Sequence, residues 1–362
     1  MPMKINSPEH YTWLEKTSLM DMAKANCLPF QKILRNCLQV KDGEVLIIGD
    51  EGFPSHRLAT LMALGYHIGA RKLGLKSKIV MQRPKTDGQK SEKEGIEAIK
   101  DLKQNSIIIL NLSGRFGHKG DLGKNYRKFA KERGHRFISA TKLGLLGTSQ
   151  YNSLLSALDV DYARMSKRGI RLKQILDDTE EIHITTNKGT NFHMNIKGKK
   201  AIINDGLFSE PGEGGNLPAG EVYIAPRGTN KIKGTIVIDG SITHKEGTTL
   251  TKRPVTLEID NGKVVSIEGG EEAKILEDTL KSADKKTLYS WGIRRIGELG
   301  IGINQNARIV GATIIDEKTL GTAHVGIGSN YWFGGTIYAS THFDQVFNNP
   351  IIYVDRKLLS IS

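Results

Sequence analysis

Short apolar runs alternate with amphipathic segments along the first half of the chain. Helical periodicity predicts helices over 11–26, 55–75, 91–104 and 121–134. Apolar runs too short for helices predict buried strands, namely EVLIIG (44–49), SKIVMQ (77–82), SIIILNLSG (106–114) and RFISA (136–140). Ser91, followed three residues later by Glu94, predicts the start of the third helix. This alternation indicates an α/β N-terminal domain with a mostly parallel sheet and helices on both faces.

In the second half of the chain, apolar and polar residues tend to alternate at every second position. The segments 181–198 and 256–269 predict β-hairpins, and Asn261-Gly262 is a strong signal for a two-residue turn in the second. One amphipathic helix is predicted over 271–284, and the remaining sequence is strand-like and rich in glycine. We therefore predict an α/β domain over 1–178 and an α+β domain rich in antiparallel strands over 179–362.

Composition and charge narrow the classes of function. The 362 residues carry 52 Lys and Arg and 39 Asp and Glu, which gives a net charge of +13. The basic residues are spread along the chain, and the densest stretch, 162–176, predicts one solvated helix face, so we expect no nucleic-acid partner. We also expect no membrane partner and a cytoplasmic location, because the apolar runs are short and MPMKINSPEH lacks a signal-peptide core.

The candidate chemistry lies in polar residues that occur within apolar or glycine-rich segments. Six residues share this setting: Glu221, Glu298, His324, Tyr331, His342 and Asp344. A buried carboxylate is costly unless it is paired or bound to a metal ion, and carboxylates with imidazoles are ligands of zinc, cobalt, manganese or iron. His342 and Asp344 are two residues apart, so on a strand both side chains project from the same face. We therefore predict a metal site in the C-terminal domain.

The same residues carry a resemblance to a known family. The segments that carry it are NLPAGEVYIAP (216–226), GELGIGIN (297–304), DEKTLGTAHVGIGSN (316–330) and THFD (341–344). They resemble segments of the M29 family of metallo-aminopeptidases. The resemblance implies a homodimer and two divalent metal ions, zinc, cobalt or manganese. It assigns as their ligands, in chain order, Glu221, Glu298, His324, Tyr331, His342 and Asp344. The chain is shorter than the family's aminopeptidases, and the segment from Tyr331 to His342 is compressed.

The leading hypothesis is a metal-dependent aminopeptidase that removes N-terminal residues from short peptides with a water activated by two metal ions. In this hypothesis Glu298 bridges the metals or carries the proton, and Tyr331 is a ligand or a donor to the oxyanion. The N-terminal domain would form a wall of the cleft.

Two alternatives remain. The first is a mononuclear iron ring-cleaving dioxygenase of the 2,5-dihydroxypyridine type, an enzyme that resembles the M29 proteins in fold and also has a His-x-Asp pair. The two glutamates beside His324 and Tyr331 favour the aminopeptidase, because one iron does not need six ligands. The second is a non-enzymatic binding protein that is stabilised by metal.

Overall fold

The computed structural model describes residues 6–40, 44–86, 88–118, 126–287 and 290–360. The chain divides into two compact units. The first comprises Met1–Tyr162 and Gly206–Pro218, and the second comprises Ala163–Asp205 and Ala219–Ser362. The units are therefore not two consecutive stretches of sequence. The division into an α/β domain over 1–178 that forms a wall of the cleft and a metal-binding α+β domain over 179–362 stays a prediction.

Helices occur mainly in the first unit. Over the described residues the α-helices are α1 (Pro8–Lys16), α2 (Ser18–Ala25), α3 (Leu28–Lys32), α4 (Leu58–Lys72), α5 (Lys93–Lys100), α6 (Tyr126–Glu132), α7 (Tyr151–Leu158), α8 (Tyr162–Asp178), α9 (Glu271–Lys285) and α10 (Thr313–Asp316). The predicted helices 55–75, 91–104 and 271–284 are confirmed as α4, α5 and α9. Extended backbone at Thr17 divides the predicted helix 11–26 into α1 and α2.

Two details of the helix prediction differ from the structure. The predicted capping of α5 by Ser91 is wrong, because the extended residue before the helix is Glu92 and no side chain caps the helix. The backbone N–H of Ser91 instead donates to the carbonyl of His118, which holds Ser91 outside the helix. The predicted helix 121–134 is confirmed over α6, while its residues 121–125 lie outside the described residues.

Most of the strands over the described residues lie in the second unit. The first strands in chain order are β1 (Glu44–Asp50), β2 (Lys76–Gln82), β3 (Ile107–Asn111), β4 (Arg136–Ala140), β5 (Glu181–Thr185), β6 (Asn191–Asn195), β7 (Ile202–Asn204), β8 (Gly214–Asn216), β9 (Glu221–Ile224) and β10 (Lys233–Ile238). They are followed by β11 (Ser241–His244), β12 (Gly247–Leu250), β13 (Val255–Asp260), β14 (Lys263–Glu268), β15 (Ile296–Gly302), β16 (Thr322–Gly328), β17 (His342–Asn348), β18 (Ile351–Val354) and β19 (Lys357–Leu358).

The first unit is built on a parallel sheet. Its strand order is β2-β1-β3-β4-β8, and each described pair of neighbours is parallel. Leu46 and Ile48 of β1 share a core with Ile99 of α5, whereas Gly49, one residue further on, lies against Ala63 of α4. Successive side chains of β1 thus point to helices on opposite faces, which explains why the strand is apolar throughout. The predicted α/β class is confirmed.

The second unit contains two antiparallel sheets. Their strand orders over the described residues are β14-β13-β10-β6-β5-β18-β19 and β12-β11-β17-β16-β15-β9-β7. The predicted hairpins are confirmed as β5–β6 and β13–β14. The turn of the second hairpin has positive φ at Asn261 and Gly262, as the Asn-Gly signal predicts. The predicted α+β character with antiparallel strands is confirmed.

The two cysteines and the apolar character of the helices can be compared with what the composition predicts. Cys27 and Cys37 are buried free thiols, as expected for cysteines that match no disulfide or zinc pattern. Among the helices that the structure describes, none combines the length and the apolar character that crossing a bilayer requires. A cytoplasmic location stays a prediction.

Candidate metal centre

Three neighbouring strands bring most of the candidate residues to one face of the second antiparallel sheet. Glu298 on β15 pairs with Gly326 on β16, which in turn pairs with Asp344 on β17. His324 and His342 lie two residues before Gly326 and Asp344, respectively, on the same strands. Because side chains alternate between faces, both imidazoles and both carboxylates project from one face.

The fourth strand adds a further carboxylate at the edge of this group. Glu221 is the first residue of β9 and pairs with Gly302 of β15. The residues that alternate with the candidates on β15, β16 and β17 are apolar and buried: Leu299, Val325 and Phe343. The sheet thus separates an apolar face from a face that carries the ionisable groups.

Two glycines provide the space that the histidine rings occupy. A Cβ on Gly300, which pairs with His324, would lie 2.1 Å from Nε2 of that histidine. A Cβ on Gly326 would lie 2.5 Å from Cε1 of His342 and 2.9 Å from Cβ of Glu298. Ordinary contacts between carbon atoms are about 3.5–4 Å. The glycines of GELGIGIN and AHVGIGSN are therefore required at these two positions by the bulk of the neighbouring rings.

His342 is oriented by a backbone hydrogen bond. Its Nδ1 lies 2.8 Å from the carbonyl oxygen of Ser329, to which it donates, so Nε2 is the nitrogen left for a metal ion. Nε2 lies 2.9 Å from Oδ1 of Asp344 and 3.4 Å from Oε2 of Glu298. Burial alone lowers the pKa of His342, but Asp344 and Glu298 outweigh it and raise the pKa to about 10. Burial alone raises the pKa of Asp344, but His342 outweighs it and holds that pKa well below its usual range.

Glu298 links the two imidazoles. Its Oε1 lies 3.4 Å from Nε2 of His324, while its Oε2 faces His342. The His324 ring is fully buried, and its Nε2 also lies 3.8 Å from Oε2 of Glu221. Burial lowers the pKa of His324, but Glu298, Asp344 and Glu221 outweigh it and raise the pKa to about 9. Burial raises the pKa of Glu298.

Two residues outside the predicted set, Glu317 and Lys318, complete the cluster. Lys318 is 1% exposed, and its Nζ lies 2.5 Å from Oε1 of Glu221 and 2.6 Å from Oε1 of Glu317. Burial raises the pKa of Glu317 to about 8. The buried carboxylate of Asp316 holds the segment in place by accepting hydrogen bonds from the backbone N–H groups of Val310 and Ala312.

Glu317 and Lys318 were missed because the consecutive charges of Asp316–Lys318 usually indicate a solvated turn. Their position in the sequence could have indicated them, because they lie in the same segment as His324, DEKTLGTAHVGIGSN.

Three overlapping groups of metal-ligand type occur among the described residues, each with its ligand atoms within 4.8 Å of one another. They are Glu221–Glu298–His324, Glu298–His342–Asp344 and Glu317–His324–Asp344. Every histidine and carboxylate that the sequence selected therefore belongs to the cluster. Imidazole nitrogens with carboxylate oxygens suit iron as well as zinc, cobalt or manganese. The residues present thus fit a transition-metal ion.

Tyr331 is placed differently from the other five candidates. It begins a helical turn over Tyr331–Phe333, is 67% exposed and packs edge-on against Tyr338. The neighbouring Trp332 instead contacts a candidate ligand, with its ring centroid 4.9 Å from that of His342. A ligand or catalytic role for Tyr331 stays a prediction.

The remaining histidines of the second unit have structural contacts. His183 and His193 stack with ring centroids 4.0 Å apart across β5 and β6, and Nε2 of His183 lies 2.9 Å from Oδ1 of Asn191. Nε2 of His244 lies 3.0 Å from Oγ1 of Thr249 on the neighbouring strand.

Comparison with known proteins identifies the family. The sequence profile of the 2,5-dihydroxypyridine 5,6-dioxygenase family matches residues 27–360. The chain belongs to this family. A curated relative, 2,5-dihydroxypyridine 5,6-dioxygenase from Pseudomonas putida, is 24% identical over 205 residues, a match that covers 54% of this chain and 57% of the relative. The chain thus spans little more than half the length of that curated relative.

Two solved structures share the fold. A structure of 2,5-dihydroxypyridine dioxygenase from Pseudomonas putida matches with a TM-score of 0.67 and 18% identity over 94% of each chain. Wild-type AmpT from Thermus thermophilus, an M29 aminopeptidase, matches with a TM-score of 0.56 and 13% identity over 94% of this chain and 95% of that chain. At these identities the likeness concerns the fold alone.

The leading hypothesis from the sequence is therefore wrong. The family match and the curated relative name a ring-cleaving dioxygenase, which is an oxidoreductase and not a peptide hydrolase. The segments that suggested an aminopeptidase lie in a fold that aminopeptidases and dioxygenases share. They therefore indicate the fold but do not distinguish between the two reactions. The comparisons also give no support to a pair of zinc, cobalt or manganese ions, whereas the dioxygenase family implies iron.

Proposed function

We propose that this chain is an iron-dependent dioxygenase that opens the ring of a dihydroxylated pyridine. Membership of the 2,5-dihydroxypyridine 5,6-dioxygenase family supports the reaction class. The observation that carries the proposal is the group Glu298–His342–Asp344, in which one imidazole nitrogen and two carboxylates converge on one face of the sheet. Iron bound here would supply the redox chemistry that dioxygen needs to react with an aromatic ring.

In this proposal His342, Asp344 and Glu298 hold the iron. His342 is oriented to bind iron through Nε2, because its Nδ1 donates to the carbonyl of Ser329 and its Nε2 faces the carboxylates of Asp344 and Glu298. Its ring and the Asp344 carboxylate project from the same strand face, so little rearrangement is needed to converge on one ion. His324 lies on the other side of Glu298 and keeps that carboxylate in position.

The proposed substrate is a planar aromatic ring that stacks on Trp332. The indole is 59% exposed although it contacts His342, so a flat ligand next to the metal site would meet an aromatic surface. The loop that presents Trp332 is anchored by Asn330. Its side-chain amide donates to the carbonyl of Gly297 and accepts from the backbone N–H of Ile337.

A hydroxylated ring releases a proton when it binds a metal ion, and the site offers an acceptor. Burial raises the pKa of the Glu317 carboxyl to about 8, although the neighbouring Lys318 ammonium lowers it, so this group is only partly ionised near neutral pH and its ionised share can take up that proton. Glu317 belongs to the group that includes His324 and Asp344, so its carboxyl lies close to a proposed iron ligand.

Oxygen uptake tests the proposal. The protein is stripped with a chelator, loaded anaerobically with Fe²⁺ and mixed with 2,5-dihydroxypyridine in air-saturated buffer. We expect oxygen consumption together with loss of the ring absorbance, and no reaction for protein loaded with Zn²⁺, which has no redox chemistry. Release of p-nitroaniline from leucine p-nitroanilide, without oxygen uptake on the pyridine, would overturn the proposal. A homodimer also stays a proposal, to be tested by sedimentation.

A further inference from the structure

A buried ammonium lies within the carboxylate cluster. Lys318 is 1% exposed, and its Nζ contacts Glu221 at 2.5 Å and Glu317 at 2.6 Å. Lysine is seldom fully buried, and it is tolerated here because two glutamate side chains, Glu221 and Glu317, contact its ammonium group. The backbone of Lys318 and Thr319 packs on β15, where a Cβ on Gly302 would lie 2.0 Å from the carbonyl oxygen of Thr319 and 2.9 Å from the carbonyl carbon of Lys318. The backbone N–H of Asn304 donates to the carbonyl of Lys318 at 2.8 Å. The ammonium is therefore held in a fixed position.

The position of this ammonium matters for the group Glu221–Glu298–His324. That group has the composition of a metal site, with ligand atoms within 4.8 Å of one another. However, Oε1 of Glu221 is already bound by Lys318, while its Oε2 faces His324. A divalent cation bound by Glu221 would therefore lie next to a fixed positive charge, and the repulsion in this buried setting is strong.

We propose that Lys318 takes the place of a second metal ion and thereby limits the cluster to a single divalent cation, held by Glu298, His342 and Asp344. The inference rests on the proposed function, since it explains how a cluster with ligands for two ions serves the chemistry of one. The cluster contains four acidic side chains, and the ammonium contacts two of them, Glu221 and Glu317, without offering a coordination position for a metal ion.

Metal stoichiometry of a lysine variant tests this inference. Chelator-treated wild type and Lys318→Met are dialysed against Mn²⁺, and bound manganese per chain is measured by elemental analysis. We expect one ion in the wild type and two in Lys318→Met. The electron paramagnetic resonance spectrum of Lys318→Met with two bound Mn²⁺ should show magnetic coupling between the ions, because the two ligand groups overlap at Glu298 and would place the ions close together. Retention of one ion in Lys318→Met would overturn the inference.

A matched control comes from another lysine of the same unit. Nζ of Lys173 contacts Asp177 at 2.8 Å outside the cluster, so Lys173→Met removes a Lys–Asp ion pair of similar length. We expect it to bind one ion, and two ions in this control would overturn the inference by showing that stoichiometry does not depend on Lys318.

Lys318→Met leaves two carboxylates without their cation, so a second variant guards against loss of folding. Lys318→Met combined with Glu317→Gln removes one charge of each sign and leaves Glu221, Glu298 and His324 available. This double variant should also bind two ions, and a single ion in the folded double variant counts against the inference. Oxygen uptake by the iron-loaded wild type is measured separately, so failure of the proposed function is distinguished from failure of the role of Lys318. Two ions in the wild type would overturn the inference, whatever the oxygen assay gives.

Discussion

Nε2 of His342 lies 2.9 Å from Oδ1 of Asp344, two positions further along strand β17. The contact brings an imidazole nitrogen and a carboxylate oxygen together on one face, and Ser329 fixes which nitrogen is presented. Asp344 raises the pKa of His342, and His342 lowers the pKa of Asp344, so both shifts favour the charged pair. A metal ion that binds here must displace the proton on Nε2, which couples metal binding to pH.

Removing either member of this pair should strongly weaken iron binding. We expect His342→Ala and Asp344→Ala to bind iron at least about 100-fold more weakly, since each loses a proposed direct ligand and the loss of outer partners alone costs 10–100-fold. Iron per chain and oxygen uptake measure the effect. His193→Ala is the control, because its ring stacks on His183 away from the cluster, and it should retain both. Wild-type iron content in both cluster variants would contradict the assignment.

The metal-free protein should become less stable as pH rises. The folded pKa values of His324 (about 9) and His342 (about 10) exceed the value of 6.5 for an unperturbed histidine, so the folded chain binds more protons than the unfolded chain between about pH 6.5 and 10. The free energy of unfolding therefore falls as pH increases through this window. Asp344, whose pKa is lowered, keeps its charge throughout and does not alter the sign.

Thermal unfolding in chelator at pH 6.5, 8 and 9.5 measures this dependence. In protein saturated with Mn²⁺ the melting temperature should depend much less on pH, because the metal has already displaced the protons from the histidines. A melting temperature of the metal-free protein that rises with pH across this range would be inconsistent with the raised histidine pKa values.

Gly326→Ala should weaken iron binding, because Gly326 lies between Glu298 and Asp344 on the neighbouring strands. The new methyl group would lie 2.5 Å from Cε1 of His342 and 2.9 Å from Cβ of Glu298, so both side chains must shift. Iron affinity should fall roughly tenfold or more, since misplaced ligands bind weakly. Gly147→Ala is the control, because φ there is −74° and the nearest atom to a new methyl group, Oγ of Ser149, is 3.5 Å away. Equal iron affinity in the two variants would count against the steric argument.

Trp332→Ala should weaken substrate binding more than turnover. Aromatic stacking contributes about 0.5–1.5 kcal/mol, so we expect KM for 2,5-dihydroxypyridine to rise roughly threefold to tenfold with a smaller change in kcat. Trp291→Ala is the matched control, since that indole is also exposed but stacks on Arg295. A KM change that is the same for both variants would show that Trp332 has no special role.

Local patterns predict most of the fold because they depend on near neighbours in sequence. Apolar runs flanked by helical periodicity predict the parallel sheet, and Asn261-Gly262 predicts a turn because asparagine and glycine tolerate positive φ. Strand β8 at the edge of the parallel sheet was not predicted, since three residues with two glycines carry no periodic signal and their pairing partner lies far away in sequence.

The sequence by itself indicated five of the histidines and carboxylates that lie together, Glu221, Glu298, His324, His342 and Asp344, because buried charges in apolar strands must share a partner, but it did not indicate Glu317. Only the tertiary structure decided the rest. Lys318 and Glu221 are separated by 97 positions, so their ion pair depends on the order of strands in the sheet. Trp332 and not Tyr331 contacts His342, because the turn that follows Asn330 directs successive side chains differently. The reaction could not be predicted from the strand motifs, since they stabilise a scaffold that hydrolases and dioxygenases share.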